Sequence, residues 1–279
     1  MKTNIFLHLP KAAGSTLSRI ITNQYPKDAI YSIYSRHLDS SLDEFLALPQ
    51  NKKDSVRMLM GHFAFGTHEA FTNGGLYFTM LRSPVDRVVS YYYYVASTPD
   101  HYLHHVLVNN NLSIDEFIEA RLTPEIENEQ TRILAGIEWH GKGKSFVPCP
   151  ASALESAKEH LRDHFSCVGL TEYFDESLLI FRRKLKWGNV YYSRQNVTRD
   201  KPKHGAISEL TRKKIEEANR YDTELYEYAR QMFWKEVENY GPSFAFNLKL
   251  FKAGNYIYNN VALPMTHMTV RLRKRLRRN

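Results

Sequence analysis

The stretch Pro10-Lys11-Ala12-Ala13-Gly14-Ser15-Thr16 combines small side chains, a cation and two hydroxyls. Small residues let a backbone approach a ligand closely, and successive N–H groups at a helix N-terminus cradle a phosphate. Lys11 adds a point charge, and Ser15 and Thr16 add donors. The order is not Gly-x-x-x-x-Gly-Lys-Ser/Thr, because the lysine precedes the glycine. Taken alone, the stretch leaves open a tight turn with a surface lysine as the lesser reading. A second stretch, Leu81 to Tyr91, puts Arg82 at the end of an apolar run and Ser90 about two helical turns further on. An arginine and a hydroxyl so placed can hold a second phosphate. Arg87, between them, reads as a structural ion-pair partner.

Such residues need strands and helices to aim them. Asn4–Leu9 is a short apolar run ending at Pro10 and predicts a buried strand; a helix follows from Ser15, with Gly14 or Ser15 near its N-cap. Arg57–His62 and Leu76–Leu81 are further strand candidates, the latter followed by a helix over Val85–Val95 with Pro84 in its first turn. Ser113–Arg121 opens with a Ser-x-x-Glu capping box. Helices are expected over Glu125–Leu134, Ala151–Phe165 and Phe174–Trp187, and strands over Ser166–Leu170 and Val190–Ser193. Asn196–Gly205 reads as a loop, Ser208–Glu238 as one or two amphipathic helices, and Asn239–Asn279 shows no clear period. Strands alternating with helices predict an α/β fold, a P-loop-type three-layer α/β/α sandwich around a central parallel sheet. Ligands then collect at the C-terminal ends of strands, in the turns after Leu9, His62, Leu81 and Ser193.

The 279 residues are 43% hydrophobic and 24% charged, which excludes a disordered chain. The longest apolar runs fall short of the ~18 residues of a membrane span, and the N-terminus lacks a signal-peptide pattern, so a cytoplasmic protein is expected. Cys149 and Cys167 are too few for a disulfide framework or a four-cysteine zinc site; reduced structural thiols are expected, with a single bridge between them as the alternative. The net charge is +8, but Arg271–Asn279 alone carries six cations and no acid. That tail suits a peripheral membrane or anionic polymer, or is a plain solvated terminus; no nucleic-acid partner is expected. Two parts are expected: a catalytic domain over 1–245, and a C-terminal extension with the basic tail over 246–279.

The two turns together resemble those of the sulfotransferases that use 3′-phosphoadenosine 5′-phosphosulfate (PAPS). Phe6 to Leu17 is similar to that family's 5′-phosphosulfate loop, and Leu81-Arg82-Ser83-Pro84 through Ser90-Tyr91 to its 3′-phosphate element. Gly61-His62-Phe63, Asn128-Glu129-Gln130-Thr131-Arg132 and Val168-Gly169-Leu170-Thr171-Glu172 agree with the branch of carbohydrate O-sulfotransferases that act on heparan sulfate at the 2-O and 6-O positions. The resemblance covers roughly residues 4 to 204. Ala12-Ala13 departs from the Thr, Gly or Cys of many members and removes one side-chain donor to the sulfonate.

The resemblance implies a PAPS-dependent enzyme that sulfates a hydroxyl, foremost of a carbohydrate, without an essential metal. Donor contacts would come from Lys11, Ala12, Ala13, Gly14, Ser15, Thr16 and Leu17, from Arg82 and Ser90, and from Asn196 and Thr198 in a closing loop where Lys201 or Lys203 adds charge. Lys11 would stabilise the leaving phosphate. His62 stands where the heparan 2-O branch has its catalytic base, with His68 as its rival and His8 as a structural residue. His101, His104 and His105 have the spacing of helical metal ligands but no accompanying carboxylate or cysteine, which favours a solvated or substrate-facing cluster. Among Tyr91–Tyr94, one or two are expected in the core and one free to stack on a base or sugar. Gln130 and Arg132 could reach an acidic acceptor or form a surface ion pair. Two rivals stand beside this reading: a nucleotide-dependent kinase on the same fold, and a non-enzymatic basic adaptor acting through Arg271–Arg278.

Overall fold

A computed structural model describes residues 2–34, 38–137, 147–193 and 207–262. Five parallel strands form its sheet: β1 (Thr3–Leu7), β2 (Ile30–Ile33), β3 (Met58–Gly61), β4 (Gly75–Leu81) and β5 (Phe165–Leu170), in the order β2-β3-β1-β4-β5. Helix α1 (Gly14–Thr22) follows β1, and α2 (Leu38–Leu46) and α3 (Gln50–Ser55) lie between β2 and β3. Between β4 and β5 run α4 (Pro84–Ser97), α5 (His104–Asn109), α6 (Ile114–Glu119), α7 (Glu129–Leu134) and α8 (Ser152–His164). After β5 come α9 (Phe174–Lys184), α10 (Glu209–Ala218), α11 (Arg220–Tyr240) and α12 (Phe244–Ile257). No helix among the described residues is long and apolar enough to cross a membrane.

Side chains alternate across the sheet, and both faces are covered. On one face Phe6 stacks on Phe78, and Phe78 meets Phe181 of α9 and Trp187, each at 5.6 Å. On the other Tyr77 packs on Phe65 at 5.0 Å, and Phe65 stacks on His160 of α8. These are the three layers expected. The chain leaves β1 toward one edge and β4 toward the other, so a crevice opens between their C-terminal ends.

The elements β2, α2, α3 and α5 were not expected, and two further segments differ from expectation. Val190–Ser193 is not a strand: the Tyr192 N–H donates to the Asn255 side chain of α12, and the Asn259 amide donates to the Tyr192 carbonyl. Side chains satisfy the backbone that a ladder would otherwise have satisfied. Beyond Glu238, where no period is visible, α12 forms with Phe244 and Phe251 in the main core. Cys149 and Cys167 are both free and buried. Burial pushes their thiols up to about 11 and about 12, which keeps them unreactive.

Candidate active site

The β1–α1 turn is set by its backbone. Lys11 and Ala13 both lie in the left-handed region, at φ 63° and 59°, and Ala13 is the N-cap of α1. An alanine cap offers no side-chain acceptor, and the first turn of α1 holds no acid. Its leading N–H groups, from Gly14 through Thr16, therefore make the positive end of a helix dipole. Gly14 has ordinary φ and is required for space: a Cβ there would lie 1.7 Å from Nε2 of His8. Thr16 and Leu17 are buried, Ser15 is exposed and Ala12 is buried beneath the turn. The donor set of this turn is suited to an anion.

Across the crevice, Arg82 follows β4 directly. Its Nη1 donates to the Lys11 carbonyl at 3.0 Å, which joins the two turns read from the sequence. The Arg82 backbone is held from both sides by the Gln130 side chain, whose Oε1 accepts from the Arg82 N–H while its Nε2 donates to the Arg82 carbonyl. Glu172 accepts from the Ser83 N–H at 2.8 Å and receives the Tyr226 hydroxyl at 2.9 Å. Burial lowers the Arg82 pKa, with Asp86 and Glu172 opposing, and leaves it a cation. The hydroxyl of Ser90, half-buried on α4, has no hydrogen-bond partner among the described residues. Tyr94 is one turn further along the same face, and Lys11 Nζ lies 3.9 Å above its ring. That face of α4 thus looks toward the β1–α1 turn.

His62 follows β3 and is half-buried. Its Nδ1–H donates to the His8 carbonyl at 2.8 Å, which leaves Nε2 as the lone-pair nitrogen, without a partner among the described residues. The rings of His62 and His8 are 4.2 Å apart. Burial lowers the His62 pKa; the His8 carbonyl opposes this, and Lys11 adds to the lowering. A neutral, oriented imidazole with a free Nε2 has the form of a general base. His8 is buried just beyond β1, and its Nδ1 meets the Tyr34 hydroxyl at 3.0 Å, which also contacts Ser18. The pKa of His8 is held well below the ordinary histidine value, first by burial and then by His62 and Lys11.

Other candidates lie elsewhere. His68 sits beside Gly75 and bonds to Tyr77, packing on His164 and Phe65. Gly75 pairs with Thr3, so His68 lies at the N-terminal end of the strands, the end opposite Lys11, because a parallel crossover must return to the start of the next strand. Arg132 and Gln130 are buried and form no surface ion pair: Gln130 holds Arg82, and Arg132 meets Glu127 and the Val147 carbonyl. Arg87 is fully buried against Glu129, the structural role expected of it. His104 bonds to the Val95 carbonyl, and His101 stacks on Tyr102 at 4.7 Å and meets Tyr94 edge-on. No three His, Cys, Asp or Glu among the described residues are placed to hold a metal. Of the four tyrosines, Tyr91 is in the core and Tyr94 is exposed at the site. Asn196, Thr198, Lys201 and Lys203 lie outside the described residues, as does the tail 271–278. Reading by residue type missed Tyr34, Glu172 and the clamp by Gln130. Glu172 lay inside a stretch noticed only for its resemblance, and Gln130 was expected to reach an acceptor, whereas it holds Arg82.

The sequence is similar to those of several known proteins. It is 35% identical over 99 residues to mouse galactosylceramide sulfotransferase, a match that covers 32% of this chain and 23% of that protein. Heparan-sulfate 6-O-sulfotransferase 2 of zebrafish is 33% identical over 116 residues, covering 40% of this chain and 24% of the relative. Heparin sulfate O-sulfotransferase of Drosophila melanogaster is 25% identical over 189 residues, covering 62% and 53%. The chain thus spans about a quarter to about half the length of these curated relatives. A solved structure of mouse sulfotransferase SULT7A1 complexed with PAP aligns over 85% of this chain and 66% of its own, with 14% identity and a TM-score of 0.37. The sequence model of the family described as galactose-3-O-sulfotransferase matches residues 3–247, which is nearly the whole of the described fold, and the chain belongs to that family.

Proposed function

We propose that the protein transfers a sulfuryl group from PAPS to a hydroxyl of a carbohydrate. The observation that carries this reading is the closure of Arg82 on the Lys11 carbonyl, beside the uncapped start of α1. It places an anion-binding helix end and a second cation on the two sides of one crevice. The donor supplies a sulfuryl group whose bond to phosphate oxygen breaks as the acceptor attacks. The N–H groups from Ala13 through Thr16 bind the 5′-phosphosulfate, the Leu17 N–H being taken by the Ala13 carbonyl, and Arg82 and Ser90 bind the 3′-phosphate. Asn196 and Thr198 close over the donor in this reading. Lys11 stabilises the charge that grows on the leaving phosphate. Nε2 of His62 takes the proton of the acceptor hydroxyl, while the His8 carbonyl keeps the ring oriented. The relatives named for galactose and for heparan sulfate point to a sugar hydroxyl, and no particular position on the sugar follows from them. The basic tail, Arg271–Arg278, supplies contact with an anionic surface.

Calorimetry with 3′-phosphoadenosine 5′-phosphate (PAP), together with transfer of labelled sulfuryl from PAPS to galactosides and heparan fragments, tests this. Wild type is expected to bind PAP, and Arg82→Ala to bind at least about tenfold more weakly. His62→Ala should keep its affinity and lose about 10²- to 10⁴-fold in kcat. A wild-type protein that ignores PAP defeats the reading at its centre.

A further inference from the structure

Helix α12 is apolar on two faces. Phe244 and Phe251 point into the core, and Tyr191 stacks on Phe251 where Gly254 leaves room for it. On the outer side Phe246 is 64% exposed, Leu250 54% and Ile257 58%, and Val261 just beyond is 50% exposed. Their spacings of four, seven and four residues put them on one arc. Tyr256, Lys249 and Lys252 flank that arc and are exposed as well. A helix apolar on both sides at a protein surface needs something to cover its outer side.

Charge selects the covering partner. After Glu238 the remaining 41 residues contain eight Lys and Arg and no acid, which equals the entire net charge of the chain. The first 238 residues are therefore neutral, and all the excess charge lies in α12 and the residues C-terminal to it. A second copy docking through the same face would oppose two lysine-bearing surfaces, on which the Glu176 carboxylate of α9 is already engaged by Lys252. The tail, itself basic, is no better matched to that face. An anionic bilayer satisfies both features, since apolar side chains enter the acyl boundary while Lys and Arg meet the headgroups. At 14 residues, α12 is about 21 Å long, short of the ~30 Å of a bilayer core, so it lies on the surface and does not span it.

We propose that the outer arc of α12, Phe246, Leu250, Ile257 and Val261, docks the protein onto membranes rich in acidic phospholipid. This rests on the proposed contact of the basic tail with an anionic surface and names the face involved, but does not depend on the sulfuryl chemistry. Co-sedimentation of the full chain with phosphatidylcholine vesicles, with and without phosphatidylserine, tests it. PAP binding and mass by light scattering are measured on the same samples. Wild type should partition about tenfold or more into the phosphatidylserine vesicles over pure phosphatidylcholine. Phe246→Glu with Leu250→Glu should remove about tenfold or more of that binding, with the mass and PAP affinity of wild type. Equal or absent binding to the two vesicle types overturns the proposal. So does a wild-type dimer that this double variant converts to monomer, which would make the arc a self-interface. Loss of PAP binding by wild type bears on the donor site and leaves the vesicle result to be read by itself.

Discussion

At the scale of single residues, the site turns on how closely His8, Gly14 and His62 are packed. The His8 ring occupies the space that a side chain at position 14 would need. Gly14→Ala must therefore displace either the histidine or the turn that presents the N–H groups. It should reduce PAP affinity by about tenfold or more, and His8→Ala in the same chain should restore part of it; a double variant as weak as the single one refutes the steric account. The His62 pKa is lowered chiefly by burial. A base is competent when unprotonated, so kcat/KM should rise as pH rises through the His62 pKa and level off above it. Because that pKa is depressed, the acid limb should fall below the ordinary histidine value of 6.5. A limb at or above 6.5 in the free enzyme would mean that another group sets it.

At the scale of elements, α4, α7 and α11 are tied beneath the site by a buried polar knot. Asp222 of α11 accepts from the Gln130 and Thr131 N–H groups and from the Thr131 hydroxyl, and lies 3.9 Å from Arg87. Asn128 and Asn219 lace the same ends together. Glu129 is different: one of its oxygens has no partner, and burial with Glu125 and Asp222 nearby raises its pKa well above the carboxylate range despite Arg87. Glu129→Gln keeps an amide oxygen that can accept from Arg87 and should cost about 1 kcal/mol in denaturant unfolding. Asp222→Asn, which cannot replace three accepted bonds beside a buried arginine, should cost about 3 kcal/mol and also weaken PAP binding, because Gln130 holds Arg82. Similar costs for both variants would contradict this division of labour. The strand ends that carry Lys11, His62 and Arg82 were legible because each follows an apolar run and a turn signal. β2 was not: its four residues, Ile30–Ile33, are too short to show a pattern, and with it went Tyr34. Gln130 and Asp222 were invisible as partners because nothing in their own spacing records a contact 92 residues away.

At the scale of the whole molecule, the question is where the catalytic unit stops, and α12 is the test. Its outward apolar arc hid it from any search for a single helical period, yet its inner face belongs to the main core. A boundary at residue 245 cuts the helix one residue after Phe244 and discards Phe251, Asn255 and Asn259. Asn255 and Asn259 hold the backbone of Tyr192, two residues before the segment that leads to Asn196 and Thr198. A chain ending at 262 keeps all of these and loses only the last 17 residues. The two truncations should therefore separate. The chain 1–262 should unfold at the wild-type denaturant midpoint and bind PAP with wild-type affinity, since every residue assigned to the donor site in this reading lies before position 262. The chain 1–245 should lose about 3 kcal/mol or more, the cost of removing a buried phenylalanine with its neighbours. It should also bind PAP less tightly, because Tyr192 is no longer anchored. If 1–245 matches wild type in both measurements, the catalytic unit ends before α12, and the helix serves only the surface it presents.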